Sequence, residues 1–159
     1  MVPGAKIIVT AHTPQGKTIK KAFKPTVRSI NLRGLNAKKI DGLSGFSRLE
    51  VLTLSDNQLT TVPKLKKLPR LRALHLANNN LRHLNGLNHL SGLEELDLSN
   101  NPRLKRAQTI KNGLTGLKNL KLVGMYGIRI PWKTIREIRD LFPKVTFQFT
   151  TRWPPRDDS

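Results

Sequence analysis

The sequence contains no cysteine, which excludes disulfide scaffolds, iron–sulfur clusters, thiolate zinc sites and cysteine nucleophiles. Acid is scarce. Ten Asp plus Glu stand against 29 Lys plus Arg, for a formal net charge of +19 and a pI near 11.2. The first carboxylate, Asp41, comes only after nine basic residues. Apolar runs such as Ile7-Ile8-Val9 fall far short of the ~20 residues that cross a bilayer. The N-terminus also lacks the apolar stretch of a secretory signal, and its pattern is strand-like rather than that of an amphipathic presequence. These absences favour an intracellular protein, cytoplasmic or nuclear, with an organelle left open. At 159 residues one domain is expected. An excess of +19 calls for a polyanionic neighbour: RNA, DNA, an anionic membrane surface or an acidic protein.

Leucine and asparagine are abundant instead, with 25 Leu and 12 Asn, a pairing that signals internal repetition. The segment Leu49-Glu50-Val51-Leu52-Thr53-Leu54-Ser55-Asp56-Asn57-Gln58-Leu59 recurs from Leu71 to Leu81. It returns from Leu93 with one extra residue before Leu104. Asn57, Asn79 and Asn101 hold equivalent places 22 residues apart. Weaker copies flank these. Ile30-Asn31-Leu32 begins one 22 residues earlier, with Leu35 in the Asn place. Leu120-Lys121-Leu122 begins another after a 24-residue step, with Met125 in that place.

These residues resemble the leucine-rich repeat family, in its 22-residue class found in bacterial internalins and a type-1 phosphatase regulator. The motif LxxLxLxxNxL is matched in three copies, and the resemblance spans roughly residues 27–150. It implies an α/β solenoid of about six coils with a parallel sheet on the concave side. It also implies that each Asn amide bonds backbone groups inside its turn and stacks from coil to coil. The spacing is consistent with this. Leu52 and Leu54 sit two apart, so on a strand both point into the core. Leu59, Val62, Leu65 and Leu68 follow at threes, which suits a 3₁₀-like return path.

Open solenoid ends need covers. Residues 1–26 read as an N-terminal β-hairpin cap, with strands at Lys6 to Thr10 and Lys17 to Phe23 around a Thr13-Pro14-Gln15-Gly16 turn. Residues 27–130 form the repeats. Residues 131–150 read as a C-terminal helix–strand cap similar to that of intracellular leucine-rich repeat proteins. Its helix runs from Trp132 to Phe142 with Ile135, Ile138, Leu141 and Phe142 on one face, and a final strand carries Val145, Phe147 and Phe149. Residues 151–159 read as a mobile tail.

Register assigns the faces. The concave surface presents Asn31, Arg33, Thr53, His75, Glu95, Asp97 and Lys121, whose charges sum to zero. The basic excess therefore lies elsewhere. Residues at one equivalent flank position are Lys38-Lys39, Thr60-Thr61, Arg82-His83 and Lys105-Arg106. Three of these four pairs are basic and would form a ridge suited to phosphates. The ridge has no interleaved aromatics, so backbone or shape recognition is favoured over base reading. The alternative for such a charge run is a solvated face that keeps a repeat protein soluble.

Other motifs have plainer explanations. Ala11 to Thr18 imitates a phosphate-binding loop, but Pro25 and the repeats leave no room for the α/β sheet such a loop requires. Thr53, His75 and Asp97 imitate a nucleophile–base–carboxylate order on an open surface without an oxyanion site. His83 and His89 lack a third ligand at metal spacing. The expectation is a non-enzymatic binding module without metal or cofactor, monomeric within an RNA-containing assembly. It would hold RNA or another polyanion on the flank and a protein in the concavity. The alternative is a protein-only adaptor, phosphatase- or cytoskeleton-associated, that meets an acidic partner. Peripheral membrane binding is weakened by the lack of a basic amphipathic helix with a strong apolar face.

Overall fold

The computed structural model describes residues 4–149, so the tail expected at 151–159 lies outside the described residues. Residues 150–159 carry two Arg and two Asp, so the whole +19 belongs to the rest of the chain. The chain begins with β1 (Ile7–His12) and β2 (Thr18–Phe23), paired antiparallel. Their turn closes as the Thr-Pro-Gln-Gly chemistry requires. Gly16 donates its N–H to Thr13 O at 3.1 Å, and Lys17 N–H bonds Thr13 Oγ1 at 3.1 Å. The phosphate-loop imitation is therefore a hairpin turn.

Next come β3 (Ser29–Asn31), β4 (Lys39–Asp41), β5 (Val51–Thr53), β6 (Ala73–His75) and β7 (Glu95–Asp97). After them stand helix α1 (Ala107–Leu114), β8 (Leu122–Gly124), helix α2 (Trp132–Leu141) and β9 (Thr146–Gln148). One sheet is parallel, ordered β3-β5-β6-β7-β8-β9; the other is antiparallel, ordered β2-β1-β4. In the repeats each strand is only three residues long because the chain turns as soon as its leucine is buried. Ile30, Leu52, Leu74, Leu96 and Val123 align across the parallel sheet at 0% exposure. Each is worth about 1.5–3 kcal/mol of burial, available only when the neighbouring coil is in place.

Asparagine ties the coils. Asn79 Nδ2 donates to Leu76 O at 3.0 Å in its own coil and to Leu54 O at 3.1 Å in the coil before. Its Oδ1 accepts the Leu59 N–H at 3.0 Å. Asn57 and Asn101 repeat the pattern one coil back and one coil forward. Because each amide reaches backwards, the first coil is held by Asn57 and functions with Leu35 in its own Asn place.

The structure departs from the sequence reading in four places. First, β4 joins β1, so the hairpin extends into the first coil as a third strand. Gly42, at φ +83°, permits this: a Cβ there would run into the Ile8 carbonyl. Second, the chain after Leu104 does not follow the return path of earlier coils but forms α1 over Ala107–Leu114, with Ile110 and Leu114 buried one turn apart. A regular 3₁₀ turn is present only at Leu87–His89 among the described residues. Third, the extra residues of α1 lengthen the step to 27. Leu120, Val123 and Met125 take the places of Leu93, Leu96 and Leu98, and Ile128, not Met125, stands in the Asn place. Fourth, Leu141 is 55% exposed, because it lies about 90° around the helix from the face shared by Ile135, Ile138 and Phe142.

Candidate functional site

Two surfaces gather polar side chains: the concave sheet face and the flank that follows each strand. On the sheet, Asn31, Thr53, His75 and Asp97 form one column in parallel register, as the spacing requires. The column then continues to Gly124 and Gln148, so Lys121 is not part of it. The Leu120-Lys121-Leu122 pattern suggested otherwise, but the buried residue is Val123, and Lys121 falls one place before the strand. There its Nζ meets Glu94 at 2.8 Å. Arg33 is also engaged, its Nε donating to the Asp56 carboxylate. The two cations counted on this face are thus neutralised or displaced, and half-buried Glu95 and Asp97 remain as its charges. Asp97 does not pair with His75; its Oδ1 accepts the Ser99 N–H at 3.0 Å. Asn31 Oδ1 does the same for Arg33 N–H at 3.0 Å. Gly124 leaves the floor beside Asp97 bare: a Cβ there would meet Asp97 Oδ1 at 2.6 Å and push that side chain aside.

The opposite edge of the sheet spends the acids. Arg28 bonds Glu50 at 3.2 Å, and Glu94 bonds both Arg72 at 3.0 Å and Lys121 at 2.8 Å. Hydrogen bonds from Arg72 and Lys121 hold the Glu94 carboxyl down to about 2. A depressed carboxyl stabilises the fold above its unfolded value near 4.5, and that contribution is lost as pH falls through about 2. The urea midpoint of the wild type should therefore exceed that of Glu94→Gln above pH 5, with the gap closing as pH approaches 2.

On the flank, the structure divides the expected ridge. Lys38 and Lys39 line a groove of about 220 Å³ with Asp41, Thr61 and Lys64. Lys39 Nζ lies 2.8 Å from Asp41, and this hydrogen bond lowers the Asp41 carboxyl below its usual value. His12 approaches the same carboxylate at 3.1 Å. One member of the pair is therefore already satisfied. Thr60 and Thr61 interrupt the cations. Beyond them Arg82, His83, Lys105 and Arg106 converge on a single cleft of about 370 Å³, completed by Arg103 and Thr109. No acid lines this cleft, and none of its five basic residues takes part in an ion pair among the described residues.

Arg103 was not evident beforehand. It sits in the extra step between Asn101 and Leu104, where the repeat pattern slips by one. A larger cavity of about 720 Å³ near α2 is lined mainly by Ile128, Ile130, Pro131, Trp132, Ile135 and Phe149, with Arg129 its one charged residue. Among the described residues no cluster of three metal-ligating side chains occurs, and no helix is long and apolar enough to cross a membrane.

The model of Leucine Rich repeats (2 copies) matches residues 47–89. Internalin C2 from Listeria monocytogenes superposes with a TM-score of 0.62. Residues 47–89 are leucine-rich repeats. The internalin is 20% identical, and the match covers 81% of this chain and 56% of that one, a likeness of fold. A search of the curated proteins found no match. Within the leucine-rich repeats the matched segment holds Asn57, Asn79 and the first half of the basic cleft, Arg82 and His83.

Proposed function

We propose that this leucine-rich repeat protein is a non-enzymatic binding module of an RNA-containing assembly. The basic flank holds RNA or another polyanion, and the concave face holds a protein through Asn31, Thr53, His75, Glu95 and Asp97. The N-terminal hairpin and the α2–β9 unit close the ends of the repeats at 27–130, and the chain works as a monomer inside the assembly, within the cell. One observation carries the polyanion half: five basic residues share a cleft without any acid, while Asp41, Glu50, Asp56 and Glu94 are engaged by other cations. Fixed cations without counter-charge repel one another, and a polyanion relieves that repulsion while releasing its own counterions. The protein half is supported by the repeat class, which commonly serves protein interaction, and by a half-buried polar stripe whose acids meet no cation among the described residues.

The assembly reading is tested by recovering the tagged protein from its own cells with and without nuclease. Co-purifying RNA, and partners that leave on nuclease treatment, are the expected result. Partners that survive nuclease with no RNA recovered would replace this reading with a protein-only adaptor.

A further inference from the structure

The cleft between two coils differs in kind from a phosphate track. A track needs cations at the same place in successive coils, but Thr60-Thr61 hold that place in the intervening coil, whose Lys64 lines the separate groove where Asp41 answers Lys39. Charge is instead concentrated where Arg82 and His83 of one coil face Arg103, Lys105 and Arg106 of the next. These side chains stand on fixed backbone. Leu81 N–H bonds Asn101 Oδ1 at 3.0 Å, Arg82 N–H bonds Thr60 O at 2.9 Å, and Leu104 N–H bonds Asn101 O at 3.0 Å. Leu81, Leu84, Leu104 and Ile110, all at 0–1% exposure, anchor the same segments from beneath.

Resting on the polyanion reading above, we infer that this cleft is a site for adjacent phosphoryl groups, the chemistry of a polyphosphate chain. Three guanidinium groups provide planar forks that match phosphate oxygens two at a time. A single phosphodiester carries one negative charge, too little to balance four permanent cations and a histidine in about 370 Å³. A run of linked phosphates carries several negative charges within that volume. No Phe, Tyr or Trp lines the cleft, so the group is held chiefly by its phosphates. The source is either a free polyphosphate or the triphosphate end of an RNA.

The test is calorimetric titration of the full chain at matched ionic strength with inorganic tripolyphosphate, orthophosphate and hexaglutamate, beside a 5′-hydroxyl RNA and the same RNA bearing a 5′-triphosphate. Tripolyphosphate should bind roughly tenfold or more tightly than orthophosphate or hexaglutamate. Arg82→Gln with Arg106→Gln should lose that preference, while Lys20→Gln with Lys21→Gln on the edge strand β2 should keep it. All four positions are exposed, so circular dichroism should be unchanged. A preference for the triphosphate-ended RNA assigns the source to an RNA end; equal binding of both RNAs with tight tripolyphosphate assigns it to a free chain. Tripolyphosphate no tighter than orthophosphate, hexaglutamate as tight as tripolyphosphate, or an unaffected cleft variant would overturn the inference. If the 5′-hydroxyl RNA still binds in those cases, the polyanion reading survives alone. If neither RNA binds while tripolyphosphate does, the reading fails and the site remains.

Discussion

Asn79→Ala should destabilise the protein by about 3 kcal/mol, seen as a lower urea midpoint and a fall in Tm of roughly 6–12 °C for a chain of this size. The side chain is 3% exposed and serves four backbone groups in two coils. Alanine leaves the Leu59 N–H without its partner and strips the amide from the carbonyls of Leu54, Leu76 and Ala77 in a place closed to water. An unsatisfied buried group costs about 1–3 kcal/mol, whereas a hydrogen bond exchanged for water costs little. The exposed neighbour Asn78 bonds only Asp56 through its side chain, at 2.6 Å. Asn78→Gly keeps its left-handed backbone at φ +55° and should cost under about 1 kcal/mol. Equal losses at the two positions would mean that the amide ladder is not what ties the coils.

The second large effect concerns the cleft. Arg82→Glu, Lys105→Glu and Arg106→Glu combined should weaken RNA binding by about 100-fold at low salt, taking about 1 kcal/mol for each exposed phosphate contact. Lys38→Glu with Lys39→Glu should cost much less, because Asp41 already occupies Lys39. Arg82, Lys105 and Arg106 are exposed and unpaired among the described residues, so their reversal should keep the wild-type stability within about 0.5 kcal/mol. A larger loss from the Lys38–Lys39 variant would move the binding surface toward the N-terminal hairpin.

Much of this was legible in the sequence, and the reason is locality. The strand, the turn and the Asn amide of each repeat lie within eleven residues, so Leu49 to Leu59 and its two copies declare both core and concave register. What was hidden depends on contacts across the chain. Nothing near Lys39 shows that β1 pairs beside it, or that Asp41 neutralises it. The fifth coil misled for a chemical reason. Leu120-Lys121-Leu122 has the alternation of a strand, yet the residues of α1 shift the register so that Val123 and Met125 are buried and Lys121 turns to Glu94. The cleft was half visible: its four flank residues follow from repeat spacing, but Arg103 joins them only because the coil slips by one residue at Asn101.

The most direct test of the central claim is the salt dependence of affinity for a 5′-hydroxyl single-stranded RNA. With four phosphates neutralised, the log–log slope should be close to −3, a loss of roughly 50-fold between 50 and 200 mM salt. The Arg82, Lys105 and Arg106 reversal should flatten it. An affinity that does not change with salt, or a slope that the reversal leaves intact, would contradict the assignment of the basic flank to a polyanion.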